Sequence, residues 1–236
     1  MMIRNIAAVV GLAVLSISVQ AQYTSTFDSN NESWRFATMA SPFNSGSGPA
    51  YPGTTVVGAP FLGGLGNPPG SIGVTSDIGD YQYFLTPLAW NGNRSSLMNG
   101  SITWDYYYTT TAPWNNAWGD IAIRDTLNNR WIVADVTAVS PTAGVWNTFS
   151  VNLDPSTAWK IGSTAGALAT NGQILAALTN MGGVYFRGEV VAGMVETYRL
   201  DNVHWKGPVI PEAGTMASFG SFLATGLFWL RRRIKA

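Results

Sequence analysis

Through its middle and C-terminal parts the chain alternates apolar and polar side chains residue by residue, and that alternation confines it to sheet structure. Ile102, Trp104, Tyr106 and Tyr108 alternate with Thr103, Asp105 and Tyr107. Ile121 and Ile123 alternate with Asp120, Ala122 and Arg124, Phe149, Val151 and Leu153 with Ser150 and Asn152, and Val184 and Phe186 with Tyr185, Arg187 and Glu189. Residues 130–136 and 198–205 supply two further runs. Successive side chains of a strand point to opposite faces, so a period of two marks a strand with one face buried. Each run is short and bounded by Gly, Asn or Pro. Closely spaced runs of this kind predict an all-β fold, an antiparallel β-sandwich. One segment departs from it. Asn171 can cap a short helix with Ile174, Leu175 and Leu178 on its apolar side, and Gly182 can end it. Residues 42–70 are rich in Gly, Pro and Ser and carry no charge, which predicts a long surface loop with one weak strand at residues 54–57.

Both ends of the chain are apolar without alternation. Arg4 precedes the apolar run of residues 6–19, and Val19-Gln20-Ala21 offers small residues for cleavage before Gln22. This pattern predicts a signal peptide over residues 1–21, cleaved between Ala21 and Gln22, with an uncleaved N-terminal anchor as the alternative. At the other end, Pro211-Glu212-Ala213 is followed by an apolar stretch, Met216 to Leu230, and then by Arg231, Arg232, Arg233 and Lys235. Counted from Met216 the stretch makes a helix of roughly 22 Å, and counted from Ala213 about 27 Å, against a hydrocarbon core of about 30 Å. A transmembrane segment over residues 213–230 therefore spans only with thinning or snorkelling, which Trp229 and the arginines suit. The arginines then lie in the cytoplasm and the rest of the chain outside.

The order of proline motif, apolar helix and arginine cluster over residues 208–236 resembles the PEP-CTERM sorting signal of exported bacterial proteins. The resemblance implies processing by an exosortase-type membrane enzyme and a setting of exopolysaccharide production. It also implies a place at the inner membrane of a Gram-negative-type bacterium, then at the cell surface or in the extracellular matrix. The family motif usually reads Pro-Glu-Pro, and Ala213 stands at its third position here. A short tail of this kind has the logic of a temporary anchor; an anchor that is never cut is the alternative.

Residues 22–207 are long enough to bury a core of their own. Cysteine is absent, so no disulfide staples the domain. Charged residues make up 11% of the chain and aromatics 12%, and within residues 22–207 acids outnumber bases. With no basic patch, nucleic acid is excluded as a partner. A surface rich in Trp, Gly and Asn suits neutral polar ligands such as glycans.

A second resemblance spans the domain. Phe27-Asp28 with Trp34, Tyr83-Phe84 with Pro87 and Trp90-Asn-Gly-Asn93, and Trp146-Asn-Thr-Phe149 follow one another along the chain. Trp159, then Tyr185-Phe-Arg-Gly-Glu189 and Leu200-Asp201-Asn202-Val203, complete the series. This ordered set resembles the laminin B (laminin domain IV) module. It implies an all-β, antiparallel jelly-roll β-sandwich with one short helix, akin to galactose-binding and carbohydrate-binding modules. It also implies core positions for Trp34, Trp90, Trp146 and Trp159.

The candidate site residues fall into three groups. Trp114, Asn115, Asn116, Trp118 and Asp120 form a loop that can stack sugar faces and bond their hydroxyls, and Tyr107 extends it if Trp104 and Tyr106 face inward. The alternative is that these rings cover one end of the sandwich. Asp28 and Asp201, with Glu32, could supply part of a structural Ca²⁺ shell, which takes six to eight oxygens; Asp201 bonding backbone amides is the alternative, and Asp77 and Asp80 read as a turn. No catalytic residue stands out. His204 is the chain's one histidine and no nucleophile elbow accompanies it. Glu189 and Glu196 could face each other across a hairpin after Val190 as a glycosidase pair, or form a surface ladder with Arg187 and Arg199. The expected function is an exported, membrane-anchored, non-catalytic protein that binds or organises extracellular polysaccharide. A structural adhesion protein and a glycan-active hydrolase are the alternatives.

Overall fold

Twelve strands pair into two sheets in the computed structural model, which describes residues 22–39, 43, 55–76, 81–110, 112–115, 117–137, 140–191 and 193–208. All of these residues fall within one unit, Gln20–Pro208. The five-stranded sheet is built around β12 (Glu196–Lys206), which is eleven residues long. That length lets it hold two partners end to end along one edge, β1 (Gln22–Ser25) at Val203–Lys206 and β4 (Ile72–Ser76) at Glu196–Leu200. Along its other edge runs β6 (Ser101–Thr109), which pairs in turn with β9 (Trp146–Asn152). The seven-stranded sheet has the order β10 (Lys160–Ile161), β8 (Arg130–Ala134), β7 (Ile121–Asp125), β11 (Met181–Arg187), β5 (Tyr81–Leu85), β2 (Arg35–Met39), β3 (Thr55–Gly58). Every pairing is antiparallel.

The alternation in β6 puts Ile102, Trp104, Tyr106 and Tyr108 into the space between the sheets. There Trp104 meets Phe186 of β11 edge to face at 5.2 Å, and Tyr198 of β12 stacks on Phe36 of β2. Fully burying one such side chain contributes about 1.5–3 kcal/mol. In β12 the inward set changes phase, from Tyr198 and Leu200 to Val203 and Trp205. A β-bulge absorbs the extra residue. The register with β6 shifts between Asp201 and His204, and Asn202 takes a φ of +48°.

The seven-stranded sheet is buried on both faces. Ala37, Met39, Tyr83, Trp131 and Tyr185 form a second cluster on its outer side, closed by Phe43, which lies 4.9 Å from both Tyr83 and Trp131. All five residues of β7 are buried for this reason, and the polar members of the run are covered along with the apolar ones. The expected surface loop at residues 42–70 is corrected at Phe43, which is part of a core; the weak strand expected at residues 54–57 is present as the paired edge strand Thr55–Gly58, whose side chains are exposed. Burying its apolar ring against Tyr83 and Trp131 is what brings Phe43 into the core.

The single helix, α1 (Asn171–Thr179), is capped by Thr170 and not by Asn171. Thr170 Oγ1 accepts the Gln173 amide at 3.3 Å while Gln173 Oε1 accepts the Thr170 amide at 2.8 Å, a reciprocal capping box. The helix ends at Asn180, because Gly182 and Gly183 already belong to β11. Ile174, Ala177 and Leu178 face the core and Leu175 is exposed. The residues up to Ala21 expected as a signal peptide, Pro211-Glu212 of the expected sorting motif, the expected span 213–230 and Arg231, Arg232 and Arg233 lie outside the described residues. Among the described residues no helix is long and apolar enough to cross a membrane.

Candidate functional site

The predicted loop of tryptophans folds inward. Trp114 and Trp118 are each 6% exposed, and both rings pack on the guanidinium of Arg187, whose Cζ lies 3.9 Å from the Trp114 centroid and 5.1 Å from that of Trp118. Arg187 stands at the end of β11 and is itself buried. Its N–H groups donate to the carbonyls of Asn115, Glu189 and Val190 at 2.8–3.0 Å and to Asp120 Oδ1 at 3.4 Å. Asp120 accepts in addition the amides of Val136 and Thr137 and the Thr137 hydroxyl, and Trp114 Nε1 donates to that same hydroxyl. Burial pushes the Asp120 carboxyl up to about 6 against the pull of Arg187. The ring faces that were expected to stack a sugar are thus occupied by the protein's own cation. Asn115 is half-buried, and Asn116 lies outside the described residues. A cleft of about 320 Å³ runs past this loop between Ala117, Asp135 and Lys160. It carries no aromatic lining, and Lys160 Nζ and the Thr164 hydroxyl in its wall donate to backbone carbonyls.

The acid pair is also corrected. Strands β11 and β12 lie in different sheets, so no hairpin follows Val190. Glu189 and Glu196 are both 2% exposed, shut away from any polymeric substrate. Glu196 Oε1 accepts the amides of Val190 and Val191, and burial raises its carboxyl to about 7. Arg187 and Arg199 belong to different sheets and form no ladder.

An open surface appears on the outer face of the five-stranded sheet. The registers of β9, β6, β12 and β4 set Trp146, Tyr107, Arg199 and Gly73 side by side in one row. Trp146 and Tyr107 are half-buried rings with centroids 5.5 Å apart at 49°. The Arg199 guanidinium lies over Tyr107 at 4.8 Å. On one side of the row stand Thr109, Thr197 and Thr75, the last two hydroxyls bonded to each other at 2.8 Å. On the other side stand Thr148, Asp105 and Asp201. Trp146 is the one tryptophan among the described residues that is not buried. The laminin B resemblance had implied a core position for it. Its own strand carried the signal: with Phe149 and Val151 facing inward, a period of two turns Trp146 outward beside Tyr107.

The two aspartates of this face hold a loop. Asp105 accepts the Thr148 hydroxyl at 2.6 Å and the side-chain amides of Asn202 and Asn67 at 2.9 and 3.3 Å. Asp201 accepts the backbone amides of Asn67 and Asn202, both at 2.7 Å. Burial, with Asp105 and Asp28 nearby, raises Asp201 to about 6. Asp28 is exposed and takes the Thr26 hydroxyl, and Glu32 accepts the amides of Thr26 and Phe27. Among the described residues no group of three or more His, Cys, Asp or Glu could hold a metal ion. As placed, Asp28, Glu32 and Asp201 bond the chain's own donors. Asp77 and Asp80 lie outside the described residues. His204 sits at the edge pairing, its Nδ1 3.4 Å from the Thr24 hydroxyl, with no nucleophile beside it.

No protein-family model matches the chain, and no curated protein matches it. Among solved structures it is similar to the L4b domain of human laminin alpha-2, at 13% identity and a TM-score of 0.58 over 80% of this chain and 98% of that domain. It also aligns with a family 11 carbohydrate-binding module of a cellulosomal cellulase of Clostridium thermocellum, at 13% identity and a TM-score of 0.39, covering 87% and 99%. A cellulose induced protein aligns at 15% identity and 0.42, covering 79% and 98%. The likeness to the laminin domain shows the fold, a laminin-like β-sandwich.

Proposed function

We propose that this chain is an exported, non-catalytic module that binds polysaccharide on the outer face of its five-stranded sheet. The observation that supports it is the row Trp146–Tyr107–Arg199, two accessible rings and a guanidinium flanked by hydroxyls, amides and a carboxylate. Pyranose rings present C–H faces to aromatic surfaces and hydroxyls to exactly such polar neighbours as Asn67, Asp105 and Thr148; few convergent polar groups around an apolar platform is the usual make-up of a ligand site. The tail motif and the N-terminal apolar segment support export and tethering at a membrane, with an exosortase-type enzyme as processing partner.

Affinity electrophoresis of the full chain against a set of polysaccharides tests the binding reading. Retardation by at least one polymer that is lost in Trp146→Ala and kept in a surface variant such as Leu127→Ser supports it. Retardation unchanged by Trp146→Ala and Tyr107→Ala removes this face as the site. Cell fractionation of the full chain, with and without residues 208–236, tests the tethering.

A further inference from the structure

The same face carries a guanidinium that no carboxylate or carbonyl among the described residues answers. Among the described arginines, Arg35, Arg94, Arg124, Arg130 and Arg187 each donate to a carbonyl, amide oxygen or carboxylate. Arg199 has no acceptor among the described residues, and neither ion pair there involves it. Its Nε is closed to solvent and unbonded. The carboxylates of the face do not turn to it. Asp105 and Asp201 stand one row along the sheet and bond Thr148, Asn67 and Asn202.

The fold also holds this side chain in place. Gly73 is its register partner on β4, and a Cβ at Gly73 would fall 2.7 Å from both Arg199 Cγ and the Tyr198 carbonyl oxygen and 3.1 Å from Leu62 Cδ1. The missing side chain is the space through which the arginine stem lies flat, under Leu62 and toward Tyr107. A guanidinium laid on an aromatic ring keeps its edge available for a planar oxyanion, which it meets with two parallel N–H donors.

Resting on the reading that this face binds glycans, we infer that its ligand is an anionic polysaccharide. The sugar face packs on Trp146 and Tyr107 while a carboxylate or sulfate on the ring takes the N–H groups of Arg199. Carboxylated and sulfated sugars share this chemistry, and the test separates them.

The full chain is titrated with polygalacturonate, dextran sulfate and a neutral β-glucan by isothermal calorimetry at two salt concentrations, as wild type and as Arg199→Gln, Arg199→Lys and Trp146→Ala. The expected result is tighter binding of one or both anionic polymers than of the glucan. That binding falls about tenfold or more in Arg199→Gln, falls less in Arg199→Lys, and weakens with salt. The polymer that shows the loss identifies the oxyanion. Glucan bound as tightly as the anionic polymers, with Arg199→Gln without effect and Trp146→Ala abolishing binding, overturns the inference and leaves the glycan face standing. Anionic binding that persists in Trp146→Ala overturns both. A normal thermal transition of each variant shows that a loss is not unfolding.

Discussion

Arg187 and Arg199 sit on aromatic rings in two different sheets, and the contrast between them separates the parts of this molecule that hold it together from the part that faces outward. Around Arg187, Trp114 and Trp118 cover both the guanidinium and each other's approach, and three carbonyls and Asp120 take its donors. Around Arg199, one ring lies beneath the guanidinium and no acceptor among the described residues meets it. The residue types are the same. What differs is closure: a satisfied, buried cation is structure, and an unsatisfied one on an accessible aromatic row is available to a ligand.

The largest effect should come from the closed side. Arg187→Met leaves Asp120 buried without its cation, and denaturant unfolding should show a loss of about 3–5 kcal/mol. Arg199→Met should stay within about 0.5 kcal/mol of wild type, as surface substitutions do. Equal losses at the two positions would break the contrast. Trp146→Ala and Tyr107→Ala should do the reverse, lowering polysaccharide affinity about tenfold while leaving the thermal midpoint nearly unchanged. In Trp114→Ala the midpoint itself should fall, since a buried ring is removed and a cavity of about 3–5 kcal/mol is left.

The buried acids sharpen the contrast through pH. The Asp120 and Asp201 carboxyls are raised to about 6 and that of Glu196 to about 7, in each case first by burial. Their folded values lie above the unfolded ones, so between roughly pH 4 and 7 the folded protein holds protons that the unfolded chain has released. The associated stability is fully present below the unfolded values and is lost as pH rises through 6 to 7. The thermal midpoint should therefore be higher at pH 5 than at pH 8, and Glu196→Gln should flatten that fall; a midpoint that climbs between pH 5 and 8 would contradict the burial of these groups. A small change is also expected on the open face, where Thr75→Ala removes the bond to Thr197. It should cost under about 1 kcal/mol by denaturant titration.

Much of the sandwich was legible because burial between sheets imposes a period of two. The runs through Trp104, Ile121, Phe149, Val184 and Tyr198 all became strands. Strands β2 and β5 carry no such signal, since Ala37 and Tyr83 on the far face are buried as well. The tryptophans were misread for a related reason. A ring in a loop beside Asn and Gly looks exposed, as Trp114 and Trp118 did, until an arginine from another strand covers it. A ring at a motif position looks buried, as Trp146 did, although the alternation of Phe149 and Val151 in its own strand turns it outward. The helix cap moved by one residue because Thr170 can enter a reciprocal pair with Gln173, a three-residue spacing that was present in the sequence to be found.

By itself the sequence determined the two-layer all-β class, the helix, the absence of disulfides and the outward direction of Tyr107, because each follows from local periodicity or composition. Tertiary structure alone decided which cations are answered. Arg187 and Arg199 lie twelve residues apart on consecutive strands, and the chain between them crosses from one sheet to the other. That crossing puts the first against Asp120 in a closed cluster and the second on an open row beside Trp146, contacts made between residues distant along the chain that no local pattern encodes.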